Sequence, residues 1–208
     1  MIIAHRINEL NEEIAKEVFS KADGIEFDIR DSNGEIIVQH DPYKSGQLFR
    51  EFITFFDPSK FYIVNVKSEG IETLALKLLE ERGIYKFFLL DCSIPMMIKL
   101  SKNGERRLAV RFSEYESIET VLSMKELVEW VWVDCFSKMP LTKEISNIFS
   151  NNGLKTCIVS PELQSQPEKV SEYSSVLSKI HFNAVCCKLP FIHSWLSSLS
   201  PYPNESTH

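Results

Sequence analysis

The sequence predicts an α/β protein: a compact (β/α)8 TIM barrel with an extra β-hairpin strand after the second barrel strand. Three observations carry that prediction. Short apolar, β-branched segments alternate with amphipathic helical ones along the chain, the pattern of a parallel sheet with helical crossovers. The strand-then-helix units come to eight, the number that closes a barrel. The first strand leads into His5-Arg6-Ile7-Asn8, without the glycine-rich phosphate turn that follows the first strand of an open doubly wound sheet. At 208 residues this is a small barrel, and a single domain over 1–199 with a flexible tail over 200–208 accounts for the chain.

The elements follow from local pattern. Met1 to Ala4 reads as a buried strand. Asn8 to Lys21 carries Leu10, Ile14, Val18 and Phe19 at helical spacing, with Asn8 as N-cap. Asp23-Gly24 ends that helix, and Ile25 to Ile29 is the second strand. Asn33-Gly34 is the strongest short hairpin signal, so Glu35 to Gln39 returns as an extra strand. Gly46 to Phe56 reads as a short helix with Leu48, Phe49, Phe52, Ile53 and Phe56 on one side. Thereafter strands at 61–67, 85–91, 107–111, 130–134, 155–159 and 184–188 alternate with helices at 71–81, 95–100, 117–124, 141–150, 168–180 and 191–199. Gly83 and Gly153 close two of these helices.

Composition bounds the function. A hydrophobic fraction of 44% and a charged fraction of 25% are those of a soluble globular domain. A net charge of −6 gives no bulk reason to expect nucleic acid as a partner. The five cysteines (Cys92, Cys135, Cys157, Cys186, Cys187) form no CxxC pair and suit a reducing compartment. No apolar run is long enough for an integral membrane segment, and His5 and Arg6 interrupt any secretory leader. The expectation is a cytoplasmic protein.

Barrel sites lie at the carboxyl ends of the strands, and the polar residues there are the candidates. Glu26 and Asp28 are two apart on one strand, so both face the barrel interior. Two carboxylates together repel unless a cation lies between them, and oxygen donors of this kind suit Mg²⁺ or Ca²⁺, with Mn²⁺ also admitted. Without a cation, the same pair reads as a solvated strand edge. Asn65 and Lys67 repeat the spacing on the next barrel strand, offering a neutral oxygen ligand and a cation for phosphate. Arg6 and Arg111 are further phosphate candidates; the alternative for Arg111 is an ion pair with Glu114 or Glu116. A lone histidine is usually structural, but His5 and His40 both stand at strand ends beside the carboxylate pair. Glu162 ends a later strand and is an additional candidate. The chain has no HExxH, GxSxG or Walker A motif and no HxH after the first strand. Trp130 and Trp132 alternate on a strand and read as packing.

These residues resemble those of the glycerophosphodiester phosphodiesterases. The likeness rests on Ile3-Ala4-His5-Arg6, on Gly24-Ile25-Glu26-Phe27-Asp28 and on His40-Asp41, which match that family's HR, ExD and HD elements in order. Asn65-Val66-Lys67 is similar to its ExK element, and Ser160-Pro161-Glu162-Leu163 and 186–190 to later strand ends. The specific part covers about the first third of the chain. The resemblance implies a (β/α)8 barrel and a divalent cation on Glu26, Asp28 and Asn65. It further implies His5 and His40 as an acid–base pair, with Arg6 and Lys67 on the phosphate of a small phosphodiester or lipid head-group substrate. Three departures stand out. Ile7 replaces a glycine and the PENT-like segment is absent; Asn65 replaces a carboxylate; and only about two dozen residues separate His40 from Asn65, so the family's usual insertion is missing. The expectation is therefore a metal-dependent phosphodiesterase, as hydrolase or as a lyase forming a cyclic product. The alternative is a catalytically degenerate barrel that binds a phosphorylated ligand or partner.

Overall fold

The computed structural model describes residues 1–196. In chain order the elements are β1 (Ile2–Ala4), α1 (Glu12–Lys21), β2 (Gly24–Ser32), β3 (Glu35–Val38), β4 (Gln47–Leu48), α2 (Phe49–Phe52), β5 (Phe61–Val66), α3 (Glu72–Glu81), β6 (Phe87–Leu90), α4 (Ile94–Lys102), β7 (Ala109–Phe112), α5 (Ile118–Met124), β8 (Trp130–Val133), α6 (Lys143–Asn151), β9 (Lys155–Val159), α7 (Val170–Leu177), β10 (Ala184–Cys187) and α8 (Ile192–Leu196). Eight strands pair in parallel around a ring. β1 pairs with β2 and β10, β2 with β5, β5 with β6, β7 with β8, β8 with β9 and β9 with β10. Between β6 and β7 the ring is joined by one isolated bridge, Leu89 to Leu108.

β3 and β4 lie outside this ring. β3 returns antiparallel on the second half of β2, through a turn in which Asn33 and Gly34 both have positive φ, 51° and 82°. Two left-handed residues in succession are what a type I′ turn needs, and Asn-Gly is the dipeptide that tolerates them. Gly24 is required for a different reason. A Cβ there would lie 1.9 Å from the Phe61 carbonyl oxygen, so β2 and β5 can approach only with no side chain at that position.

The alternation along each strand sorts side chains into two layers. Ile25, Phe27, Ile29 and Val64 face the helices, while Ile3, Ile63, Phe88, Trp130, Trp132, Cys157 and Cys186 pack inside the ring. Phe88 and Phe61 lie 4.9 and 5.2 Å, ring to ring, from Trp130. The lower interior is thus filled with aromatic rings, each contributing about 1.5–3 kcal/mol of burial. Glu26, Asp28 and Asn65 stand above that floor. All five cysteines are free and buried.

Several helix boundaries differ from the sequence expectation. α1 starts at Glu12, not near Asn8, because Asn11 is the N-cap and accepts from the Ile14 N–H. The segment 46–56 opens as strand β4 before a single turn of α-helix and a 3₁₀ turn. The cause is an available partner, since Gln47 and Leu48 pair with Val38 and Ile37 on the edge of β3. Its apolar side is buried nonetheless, with Phe49, Phe52 and Phe56 all in ring contact with Phe27. The helix at 168–180 is shortened to α7 by a preceding 3₁₀ turn at Pro167–Lys169. The end of the last expected helix, 197–199, and the tail 200–208 lie outside the described residues.

Candidate active site

Leaving β1, the chain turns over the end of β2. The His5 N–H donates to the Cys187 carbonyl (2.9 Å), Arg6 takes a left-handed φ of 53°, and the Ile7 N–H donates to the Glu26 carbonyl (2.8 Å). The turn aims the Arg6 N–H at Glu26 Oε2, 2.7 Å away, while Asn65 Nδ2 donates to Oε1 at 2.9 Å. His5 Nε2 stands 3.7 Å from the same carboxylate. Glu26 is 1% exposed, and burial together with the charge of Asp28 pushes its carboxyl up to about 7.

Asp28 is equally buried and is the cross-strand partner of Asn65. Its backbone N–H donates to Asn8 Oδ1 (2.9 Å), and Asn8 Nδ2 donates back to Asp28 Oδ2 (2.8 Å). Arg6 Nε lies 3.7 Å from Oδ2. Two buried oxygens in this group have no hydrogen-bond partner, Asp28 Oδ1 and Asn65 Oδ1; Lys67 Nζ stands 3.6 Å from the former. Orphaned buried oxygens cost stability unless something supplies a donor or a positive charge. Two carboxylates and an amide oxygen are hard donors of the type Mg²⁺ and Ca²⁺ take, so these residues fit a divalent cation. Among the described residues, no group of three or more His, Cys, Asp and Glu side chains is arranged for a metal.

His40 arrives from the end of β3, where the Gln39 N–H donates to the Asp28 carbonyl at 2.9 Å. Its Nδ1 is 2.8 Å from Asp41 Oδ1, and Lys44 Nζ is 2.7 Å from Asp41 Oδ2. Hydrogen bonds from His40 and Lys44 hold the Asp41 carboxyl down to about 2. An ionised Asp41 fixes the imidazole through Nδ1 and leaves Nε2 for other work. His5 is placed differently. Burial, followed by the positive fields of Arg6, Lys188, His40 and Lys67, holds it down to about 3, so it is a neutral imidazole at ordinary pH.

Lys67 Nζ pairs with Asp91 Oδ2 at 2.9 Å. Arg111 grips the other oxygen of Asp91 through Nε (2.8 Å) and a terminal nitrogen (2.6 Å), and pairs with Asp134 through its second terminal nitrogen. The alternative weighed for Arg111, an ion pair with Glu114 or Glu116, gives way to pairs with Asp91 and Asp134, which follow the strands on either side of it. Burial alone would raise the Asp91 carboxyl, but Arg111 and Lys67 hold it below the ordinary range. Asp134 is pushed up to about 6 by burial, against the pull of Arg111. Glu162 belongs to another network. It accepts from the Lys188 N–H (2.9 Å) and from the Ser160 hydroxyl, which in turn accepts from Trp195 Nε1 (2.8 Å).

The structure thus brings together His5, Arg6, Glu26, Asp28, Asn65 and Lys67, with His40 entering from the hairpin side. It sets Arg111 behind Asp91 and Glu162 apart. One residue of this arrangement escapes sequence reasoning, and a second is legible there only as a strand-end carboxylate. Asn8 clamps Asp28 rather than capping α1, and the signal that could have found this is the better cap signature of Asn11-Glu12-Glu13 three residues on. Asp91 joins Lys67 to Arg111 from a left-handed φ of 63°, which nothing local in the sequence announces.

The parallel α/β ring is shared with known structures. A glycerophosphodiester phosphodiesterase from Thermotoga maritima superposes with a TM-score of 0.65 over 94% of this chain and 96% of that one, at 16% identity. One from Agrobacterium tumefaciens gives 0.64 over 92% and 98%, at 14% identity. A protein proposed as a glycerophosphodiester phosphodiesterase from Galdieria sulphuraria gives 0.68 over 94% and 97%, at 16% identity. No family model and no curated protein matches the sequence. The fold is that of these phosphodiesterase structures. No helix among the described residues is long and apolar enough to cross a membrane.

Proposed function

We propose that the chain is a metal-dependent phosphodiesterase, acting on a small phosphodiester related to glycerophosphodiesters or to phospholipid head groups. The observation that carries this reading is the pair of buried oxygens on Asp28 and Asn65 that have no hydrogen-bond partner, set among Arg6, Lys67 and His5. Glu26, Asp28 and Asn65 would hold the cation, Mg²⁺ or Ca²⁺ or Mn²⁺. When bound, it supplies positive charge against the charge that develops on the phosphoryl oxygens.

Arg6 and Lys67 bind and orient the phosphate. His5, neutral because it is buried among cations, accepts the proton of the attacking hydroxyl at its free ring nitrogen. The new phosphorus–oxygen bond forms as the bond to the leaving oxygen breaks, and His40 donates a proton to that oxygen. Asp41 keeps His40 in the tautomer and orientation this needs. With water as nucleophile the products are a phosphomonoester and an alcohol. With a hydroxyl of the substrate itself, the product is a cyclic phosphodiester. Arg111, gripped by two carboxylates, anchors Asp91 and through it Lys67.

The same ion pairs favour a second reading. A barrel whose Lys67 and Arg111 are already neutralised by Asp91 and Asp134 could bind a phosphorylated ligand without cleaving it. The test is cleavage across a panel of glycerophosphodiesters, phosphoinositides and lysophospholipids with Mg²⁺, Ca²⁺, Mn²⁺ or EDTA, beside the His40→Ala variant. Metal-dependent cleavage lost in His40→Ala is expected. Silence across the panel, with no metal retained on purification, would favour the binding barrel.

A further inference from the structure

The ring of strands parts at one place, and the parting adjoins the phosphate site. β6 and β7 share the single bridge Leu89 to Leu108, whereas β7 pairs with β8 over four residues, from Ala109 to Phe112. Above the bridge the two strands diverge, and a cavity of about 610 Å³ occupies the gap. Its walls come from both layers of the fold. Ala109 belongs to the packing inside the ring, while Cys92, Met97 and Val110 belong to the packing between strands and helices. The cavity is thus a slot between neighbouring strand–helix units, β6 with α4 and β7 with α5, at the wall of the barrel.

Its chemistry is two-sided. The inner end carries Asp91 and Arg111, whose ion pair spans the gap from the end of β6 to β7. Asp91 also holds Lys67, so the slot begins one residue from the candidate phosphate site. The outer part is largely apolar: Cys92, Met97 and Val110 line its wall, Ile94 (49% exposed) and Tyr115 (78% exposed) stand at its mouth, and Glu116, Ser117 and Thr120 contribute polar groups on one side. The Tyr115 ring continues that rim to half-exposed Phe136, 5.9 Å away. A volume within the range of about 300–1,000 Å³ typical of ligand pockets, largely apolar and with the Asp91–Arg111 pair at its inner end, matches an amphiphile.

We infer that the slot receives an apolar chain of the substrate, so that the preferred phosphodiester carries one alkyl or acyl chain next to its phosphate. This rests on the phosphodiesterase reading, with cations on the phosphate and the chain running past the Asp91–Arg111 pair toward Ile94 and Tyr115. Each methylene that leaves water on binding should tighten binding by up to about fourfold.

Two series test it. Turnover of p-nitrophenyl methyl, butyl and octyl phosphates, below their aggregation limits, is expected to show KM falling by at least about tenfold from methyl to octyl. Calorimetry with methyl-, butyl- and octylphosphonate reads the same trend whether or not turnover occurs. Thr120→Trp, an exposed lining position on α5, is expected to collapse the methyl-to-octyl ratio toward one, and Ile94→Asp at the mouth to reduce it. A flat chain-length dependence in both series overturns the inference. Equally, a steep dependence that Thr120→Trp leaves intact overturns it, because the chain then binds elsewhere. Self-association that Thr120→Trp abolishes, with flat dependence, assigns the slot to a second copy of the chain. Chain-dependent phosphonate binding with no diester cleaved supports the slot and overturns the phosphodiesterase reading instead.

Discussion

Replacing Glu26 by Gln separates what this carboxylate does for function from what it does to stability. Burial and Asp28 raise its carboxyl from 4.5 to about 7. The folded protein therefore keeps a proton there that the unfolded chain has already released. Its contribution to stability is full below the unfolded value and is lost as pH rises through the folded one, the window here being about 4.5 to 7. The difference between 4.5 and about 7, at about 1.36 kcal/mol per pH unit, is about 3 kcal/mol as an upper bound. Gln preserves the local bonding. Its oxygen accepts from the Arg6 N–H, and its amide donates to Asn65 Oδ1 once the Asn65 amide turns over, which gives that orphaned oxygen a partner. In EDTA at pH 8, Glu26→Gln should be more stable than the parent by about 2–3 kcal/mol, a rise in Tm of about 5–10 °C. The difference should vanish near pH 4. Adding Mg²⁺ or Ca²⁺ should raise the parent's Tm and leave the variant unmoved. Thermal unfolding at pH 4, 6 and 8, with and without metal, decides it. A variant less stable than the parent at pH 8, or one with an unchanged pH slope, refutes the electrostatic account of this site.

Asn8→Ala removes both clamps on Asp28, and metal affinity, read by calorimetry, should fall by about 10- to 100-fold with little change in the fold. Asp91→Ala frees Lys67 and Arg111 together and leaves Asp134 with an untethered partner. It should cost about 2–4 kcal/mol in urea unfolding and raise KM, with Lys67 swinging toward Asp28 Oδ1. Asp41→Asn should lower kcat by at least about tenfold and leave metal affinity unchanged, because it acts on the orientation of His40 and not on the cation's ligands. Gly24→Ala should destabilise the fold by about 3 kcal/mol or more, since its Cβ would meet the Phe61 backbone rather than a movable side chain.

How much of this was legible beforehand varied with the range of the interaction. Strand positions and the inward direction of Glu26, Asp28 and Asn65 follow from period-two alternation, a local property, and the structure places those side chains on one face of adjoining strands. The hairpin turn is a property of the Asn33-Gly34 dipeptide. Where a segment had two uses, sequence reasoning chose wrongly. Asn8 and Asn11 are both good caps, and only the proximity of Asp28, twenty positions on, recruits Asn8 elsewhere. The helical stripe of 46–56 is real, but the open edge of β3 draws its first residues into a strand. The ion-pair alternative for Arg111 named only nearby carboxylates, at 114 and 116, whereas barrel neighbours stand about twenty residues away in sequence and one strand away in space.

The sequence by itself determined the alternation of elements, the side of the sheet each residue faces, and which strand ends carry ionisable groups, because these depend on periods of two and 3.6 residues. Tertiary structure alone decided the charge states and the partners. Burial, with the positive fields around it, holds the His5 imidazole neutral, and burial beside Asp28 pushes the Glu26 carboxyl up. The slot between β6 and β7 belongs to the same class of fact. Whether neighbouring strands meet along their length or part above one bridge depends on how the whole ring closes, and no short stretch of chain encodes that.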